Sequence, residues 1–180
     1  MPTEFLAAAA RVVVGDGLTD GVTMGPLANP RRLEAMTELV DDAVERGAKL
    51  VLGGERLDRP GWFFPPTVLT DVPGDARVMR DEPFGPIAPI VPFTDLDDAL
   101  RIANSLPYGL AAYGFTRSSK TAEKLITGFE AGILSINHCG GSVHEAPSGG
   151  VKQSGYGREG GPEGLAAYLV TKRVSHLLDG

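Results

Sequence analysis

The side chains most able to do chemistry are few and unevenly placed. Cys139, the only cysteine, sits in the string NHCGG beside His138, so a thiolate–imidazole nucleophile has to be weighed. Neighbours on an extended segment point to opposite sides, which keeps this pair from hydrogen-bonding easily, and His144 or His176 can approach only through the fold. An unpaired cysteine is more often a small buried packing group than a nucleophile, and that is the favoured reading. The three histidines, 138, 144 and 176, show no metal-binding spacing. His144-Glu145 runs into Ala146-Pro147, which breaks any helix that could aim two ligands together, so no metal is expected.

Glu82 lies in MRDEPFGPI, just before an apolar run, and Pro83 and Gly85-Pro86 shape the backbone after it. A carboxylate at a strand edge beside an aromatic ring, here Phe84, can accept two hydroxyl hydrogen bonds from a sugar. Taken on the residues alone, an exposed turn acid is the favoured reading. GYGREG, residues 155–160, matches the G-x-G-x-x-G of dinucleotide-binding turns. The GGVKQS before it is no strand, and no second βαβ unit follows to bring an acid to a ribose. A glycine-rich loop where backbones approach closely is expected instead.

The elements that must position these residues read as follows. A short helix over 3–12 has Thr3 as its cap and Phe5, Leu6, Ala9 and Val12 on one face. The clearest helix, 30–47, has Pro30 in its first turn, a stripe of Leu33, Met36, Leu39, Val40, Ala43 and Val44, and Gly47 to end it. A strand at 50–54 and an extended stretch at 61–72 follow, and IAPIVPF, 87–93, is an irregular or edge strand because of its prolines. Residues 95–105 form a helix capped by Asp95, with Leu96, Ala99, Leu100 and Ala103 inward. A strand at 110–116, a helix capped by Ser118 or Ser119 and running to about Thr127, and a strand at 132–137 complete an α/β pattern that implies parallel pairing. Residues 138–161 read as a glycine-rich loop, and 165–178 starts helical and ends as a strand with little left to pair with.

The 180 residues suffice for one globular domain, and 42% hydrophobic with 22% charged is an ordinary folded composition. With 24 Gly and 14 Pro, many shaped turns are expected. A net charge of -6 argues against nucleic acid or an anionic membrane surface as partner. No apolar run reaches the roughly 18 residues that span a bilayer, and the start lacks the basic segment of a signal peptide. One cysteine can make neither an internal disulfide nor a thiolate zinc cage, which fits a reducing, cytoplasmic setting.

Several strings in order carry a family resemblance: MGPL (24–27), E-x-F-G-P from Glu82 to Pro86, NSLPYGLAAYGFT (104–116), GG-x-K-x-SG-x-GRE-x-G from Gly149 to Gly161, and the closing YLVTKRV. Together, from about Val14 onward, they resemble the aldehyde dehydrogenase superfamily, with SINH and AYLVTKRVSH most similar to bacterial succinate-semialdehyde-type enzymes. The resemblance implies an α/β partial catalytic domain over 1–164, a parallel sheet flanked by helices, and a helix end with an oligomerisation strand over 165–180. It implies NAD or NADP as cofactor, an aldehyde (a semialdehyde in the finer match) as substrate, and a homo-oligomer. Glu82 then corresponds to the glutamate that holds the nicotinamide-ribose hydroxyls, Phe84 to the aromatic against that ribose, and Leu110 to a residue near the nicotinamide. Segment 138–148 corresponds to the loop lining the aldehyde tunnel, with Gly140, Ser142 and Ser148 facing substrate. That places Cys139 on the loop and away from the nucleophile. Ser148 stands where the family often has phenylalanine. No catalytic residue is assigned in this chain. The family's nucleophilic cysteine, base glutamate, oxyanion asparagine and dinucleotide domain precede the matched part, so the chain resembles a C-terminal portion that is inactive alone. The alternatives are a non-catalytic binding or assembly module and a thiol hydrolase built on Cys139.

Overall fold

A computed structural model describes residues 3–140 and 143–178. The chain divides between Phe93 and Thr94 into two compact units, where the sequence reads as one domain without a linker.

In the first unit, helix α1 (Thr3–Ala10) is shorter than predicted, and Thr3 lies within it. Helix α2 (Pro30–Glu45) begins where the Asn29 side chain accepts the Arg32 N–H at 3.1 Å and Pro30 presets the first turn. Leu33, Met36, Leu39, Val40 and Ala43 are buried along one stripe, whereas Val44, predicted there, is exposed. Gly47, at φ +106, lets the chain turn away from the helix.

Strands β1 (Lys49–Leu52), β2 (Thr67–Thr70) and β3 (Ile87–Ile90) make a sheet in that order. β1 and β2 are antiparallel with an irregularity between Leu50 and Leu52, and β2 and β3 are parallel from Thr67 opposite Ile87 to Thr70 opposite Ile90. The edge position of β3 explains how Pro89, which has no N–H, is accommodated. The α2 stripe shares a core with Phe64, Leu69, Val72 and Ile87. Between β2 and β3 the chain makes one 3-10 turn, Arg77–Met79, with Val78 buried.

In the second unit, helix α3 (Leu96–Ala103) is capped by Asp95, whose Oδ1 accepts the Asp97 N–H at 2.7 Å. Leu100 is buried as predicted, but Ala103 is exposed. Strands β4 (Tyr108–Gly109) and β5 (Ala111–Gly114), helix α4 (Ser119–Gly128), strands β6 (Ile133–Ile136) and β7 (Val151–Lys152), and helix α5 (Gly161–Ala166) follow. Ser118 is the α4 cap, its Oγ accepting the Thr121 N–H at 3.2 Å. β5, α4 and β6 form the expected parallel crossover, with Ala111 opposite Ile133 and Gly114 opposite Ile136. β4 pairs antiparallel with β7, which lies within the predicted loop 138–161.

The predicted terminal strand finds no partner within the described chain. Residues 169–178 make no ladder with any described residue, and their side chains are exposed. A strand exists only by pairing, and the described chain offers this segment no partner. Among the described residues, no helix is long and apolar enough to cross a membrane.

Candidate functional site

In the first unit, the Glu82–Gly85 segment leads into β3 and is held by α2. Arg32 Nη1 donates to the Pro83 carbonyl at 3.1 Å. Gly85 lies so close to the Met36 thioether that a Cβ there would strike its sulfur. Between these holds, Phe84 adopts φ +43, a left-handed conformation that a bulky aromatic residue takes only when its surroundings impose it. Phe84 is 71% exposed, and Glu82 is exposed beside it. Among the described residues no cation pairs with Glu82. The carboxylate and the ring are therefore both open to a ligand.

The approach to Glu82 is braced further back. Asp42 on α2 accepts the Arg77 backbone N–H at 2.8 Å and the Arg46 Nε–H at 2.9 Å. These two donors, the Arg77 N–H first, hold the Asp42 carboxyl below the usual carboxylate range. Arg77 in turn reaches Asp81, the residue before Glu82, at 3.1 Å. The MGPL string is pinned at both ends: the Gly15 N–H donates to Met24 O, and the Leu27 N–H to Trp62 O.

In the second unit two motifs clasp each other. Lys152, at φ +55, donates from Nζ to the carbonyls of Asn104 and Leu106 at 3.1 and 3.2 Å and pairs with Glu130. The Gly109 N–H donates to Ser154 Oγ, and the Gln153 N–H to Pro107 O. Asn104 links the ends of α3 and α4 by donating to Gly128 O at 2.7 Å and accepting the Glu130 N–H at 3.0 Å. The GG-x-K-x-SG string thus fixes the NSLPYGL turn that carries Leu110, whose side chain is 54% exposed.

The glycine-rich loop behaves as a close-approach device. A Cβ at Gly132 would collide with the Gly149 carbonyl, and Arg158 Nη1 donates to Gly150 O and Gly157 O. Ser148 is half-buried, and its N–H and C=O exchange 2.7 Å hydrogen bonds with Glu159. GYGREG therefore closes a loop on residue 148. The helix after it, α5, has six residues.

Segment 138–148 leaves the end of β6. Gly140 is exposed, and its carbonyl accepts from Ser135 Oγ at 3.2 Å. Ser142 lies outside the described residues. Cys139 is exposed, contrary to the buried packing group expected, because it follows the strand instead of belonging to it. Among the described residues no hydrogen bond joins Cys139 to a histidine. No group of three His, Cys, Asp or Glu among the described residues is placed to hold a metal ion. Two surface hollows in the first unit, of about 550 and 280 Å³, are lined by residues 56–60 and by residues including Val12, Leu52 and Pro66. None of the candidate residues lines either hollow.

Sequence reasoning missed Arg32, Asn104, Asn137 and Lys152. Arg32 carried no local signal, since its partner is 51 residues away, whereas Asn104 opens the string NSLPYGLAAYGFT but holds Gly128 and Glu130 through the fold. Asn137 and Lys152 stand inside strings that the sequence singled out, SINH and GG-x-K.

Each unit is α/β with one parallel strand pair, β2–β3 in the first and β5–β6 in the second. The aldehyde dehydrogenase family matches residues 2–174, and the chain belongs to that family. It is 48% identical over 174 residues to 4-(hydroxymethyl)benzenesulfonate dehydrogenase TsaD1 of Comamonas testosteroni, covering 97% of this chain and 36% of that protein. It is 42% identical to the succinate-semialdehyde dehydrogenase [NADP(+)] GabD of Escherichia coli, covering 92% of this chain and 34% of that protein. The solved succinate-semialdehyde dehydrogenase of Burkholderia pseudomallei superposes with a TM-score of 0.88 at 39% identity, over 93% of this chain and 35% of that one. The chain spans about a third of the length of the relatives it matches.

Proposed function

We propose that this chain is the part of an NAD(P)-dependent aldehyde dehydrogenase that grips the nicotinamide ribose and walls the aldehyde route, oxidising an aldehyde to its acid with a nucleophilic cysteine from outside this sequence. The observation that carries the reading is the exposed, unpaired Glu82 carboxylate beside Phe84, whose left-handed backbone is held by Arg32 and Met36. That pair suits a ribose: a carboxylate accepts from two adjacent hydroxyls, and an open ring packs on the sugar. When bound, the nicotinamide supplies the hydride acceptor. Glu82 and Phe84 would hold its ribose, Leu110 would pack near the ring, and Gly140, Ser142 and Ser148 would line the substrate side. These residues bind and orient, and none of them transfers a proton.

The substrate is proposed to carry an acidic group. The names of two relatives include a sulfonate and a succinate semialdehyde, and Ser148 puts a hydroxyl where the family pattern often has a ring. The enzyme is proposed to work as a cytoplasmic homo-oligomer assembled through residues 165–180.

The test is a chimera in which this chain replaces the corresponding third of the Escherichia coli relative. Glu82→Gln in that chimera should lower kcat/KM by roughly tenfold to hundredfold, with the loss concentrated in cofactor terms, because an amide replaces a charged acceptor. Unchanged turnover and cofactor KM in the variant would overturn the assignment.

A further inference from the structure

Asn137 lies at the carboxyl end of β6, the edge of a parallel pair where α/β sheets place their ligand loops. Its backbone is left-handed at φ +64. Its side chain makes a two-way clamp on one peptide plane: Oδ1 accepts the Thr116 N–H at 2.8 Å, and Nδ2 donates to the Thr116 carbonyl at 2.9 Å. The Asn137 N–H donates to Gly114 O at 2.7 Å, which continues the β5–β6 pairing up to the point where the two loops part. Three residues on, buried Ser135 takes the Gly140 carbonyl. The stretch His138–Gly140 is thereby tied at both ends.

We propose that Asn137 is a positioning residue for the aldehyde-side loop, setting the path of residues 138–140 by locking them to the loop that follows β5. This rests on the reading of segment 138–148 as the aldehyde wall. A carboxamide is the side chain the geometry demands, since it must donate and accept in one plane. Aspartate offers no N–H for the Thr116 carbonyl, and leucine offers neither group. The left-handed φ adds a second preference for asparagine, but glycine meets that one equally well.

The contrast makes the test. The 180-residue chain is labelled with a nitroxide at Cys139, its only thiol and an exposed one. Spin-label mobility is compared in the parent, Asn137→Asp, Asn137→Gly and Thr116→Val chains. The clamp predicts a restrained spectrum in the parent and in Thr116→Val, whose backbone groups survive, and a mobile one in both Asn137 variants. A Gly variant as restrained as the parent shows that only the backbone angle matters and overturns the proposal, as does an unmoved Asp variant. In the chimera, Asn137→Gly should raise the aldehyde KM about tenfold and leave the cofactor KM unchanged. A mobile label with unmoved aldehyde constants would instead overturn the assignment of this loop to the aldehyde, leaving the clamp in place.

Discussion

The family resemblance puts Ser148 where phenylalanine is frequent, and its backbone is fixed by the paired hydrogen bonds to Glu159. The side chain is thus presented from a rigid position, and its chemistry should show in specificity. In the chimera, Ser148→Phe is expected to shift the ratio of kcat/KM for a semialdehyde acid over a purely aliphatic aldehyde by about tenfold toward the aliphatic one, the range that one pocket contact commands. A ratio that stays put removes Ser148 from the aldehyde wall. Glu82 shows how far single residues speak for themselves. Its exposure is visible in the string EPFGP, because prolines and glycine keep the segment out of regular structure. What makes the pair useful, the left-handed Phe84, depends on Arg32 and Met36 about fifty residues earlier, and no local pattern encodes that.

Helix α2 organises the first unit because one face is core and its flanks carry the polar ties. The buried stripe was readable from its spacing, as were the Pro30 start and the Gly47 end. The polar ties were not, since Asp42 reads as one surface acid among many until Arg77 is folded back onto it. The carboxyl is held below the usual range, so in this region the folded chain binds fewer protons than the unfolded chain does. The stabilisation is therefore fully present above the unfolded value of about 4 and is lost as pH falls through the lower folded value. Asp42→Asn keeps an oxygen for the Arg77 N–H but cannot titrate. Urea midpoints measured from about pH 5 down to pH 3 should fall less steeply for this variant than for the parent. Equal slopes would show that the Asp42 contacts do not persist in solution. In the second unit the β5–α4–β6 crossover was likewise legible, whereas the two-residue strands β4 and β7 were not: a pair that short is made by the Lys152 and Ser154 hydrogen bonds, and propensity says nothing of it.

At the scale of the molecule, the end of the chain carries the clearest unmet need. Tyr168, Val170, Leu177 and Leu178 are all exposed on a segment that pairs with no described residue. Free N–H and C=O groups flanked by apolar side chains recruit another strand. The chain is accordingly expected to self-associate, with light scattering giving a mass above 18.9 kDa that falls when residues 169–180 are deleted. A monomer unaffected by the deletion would contradict the assembly role. If this chain shapes the cofactor and aldehyde sites while the nucleophile comes from elsewhere, as proposed above, the difference shows in turnover. The most direct measurement is reduced-nicotinamide absorbance with aldehyde and NAD(P), for the 180-residue chain alone, the chimera, and the chimera with Cys139→Ala. No signal is expected from the chain alone, and rates for the chimera and its Cys139→Ala variant should agree within about twofold. Activity in the chain alone that Cys139→Ala abolishes would contradict that proposal.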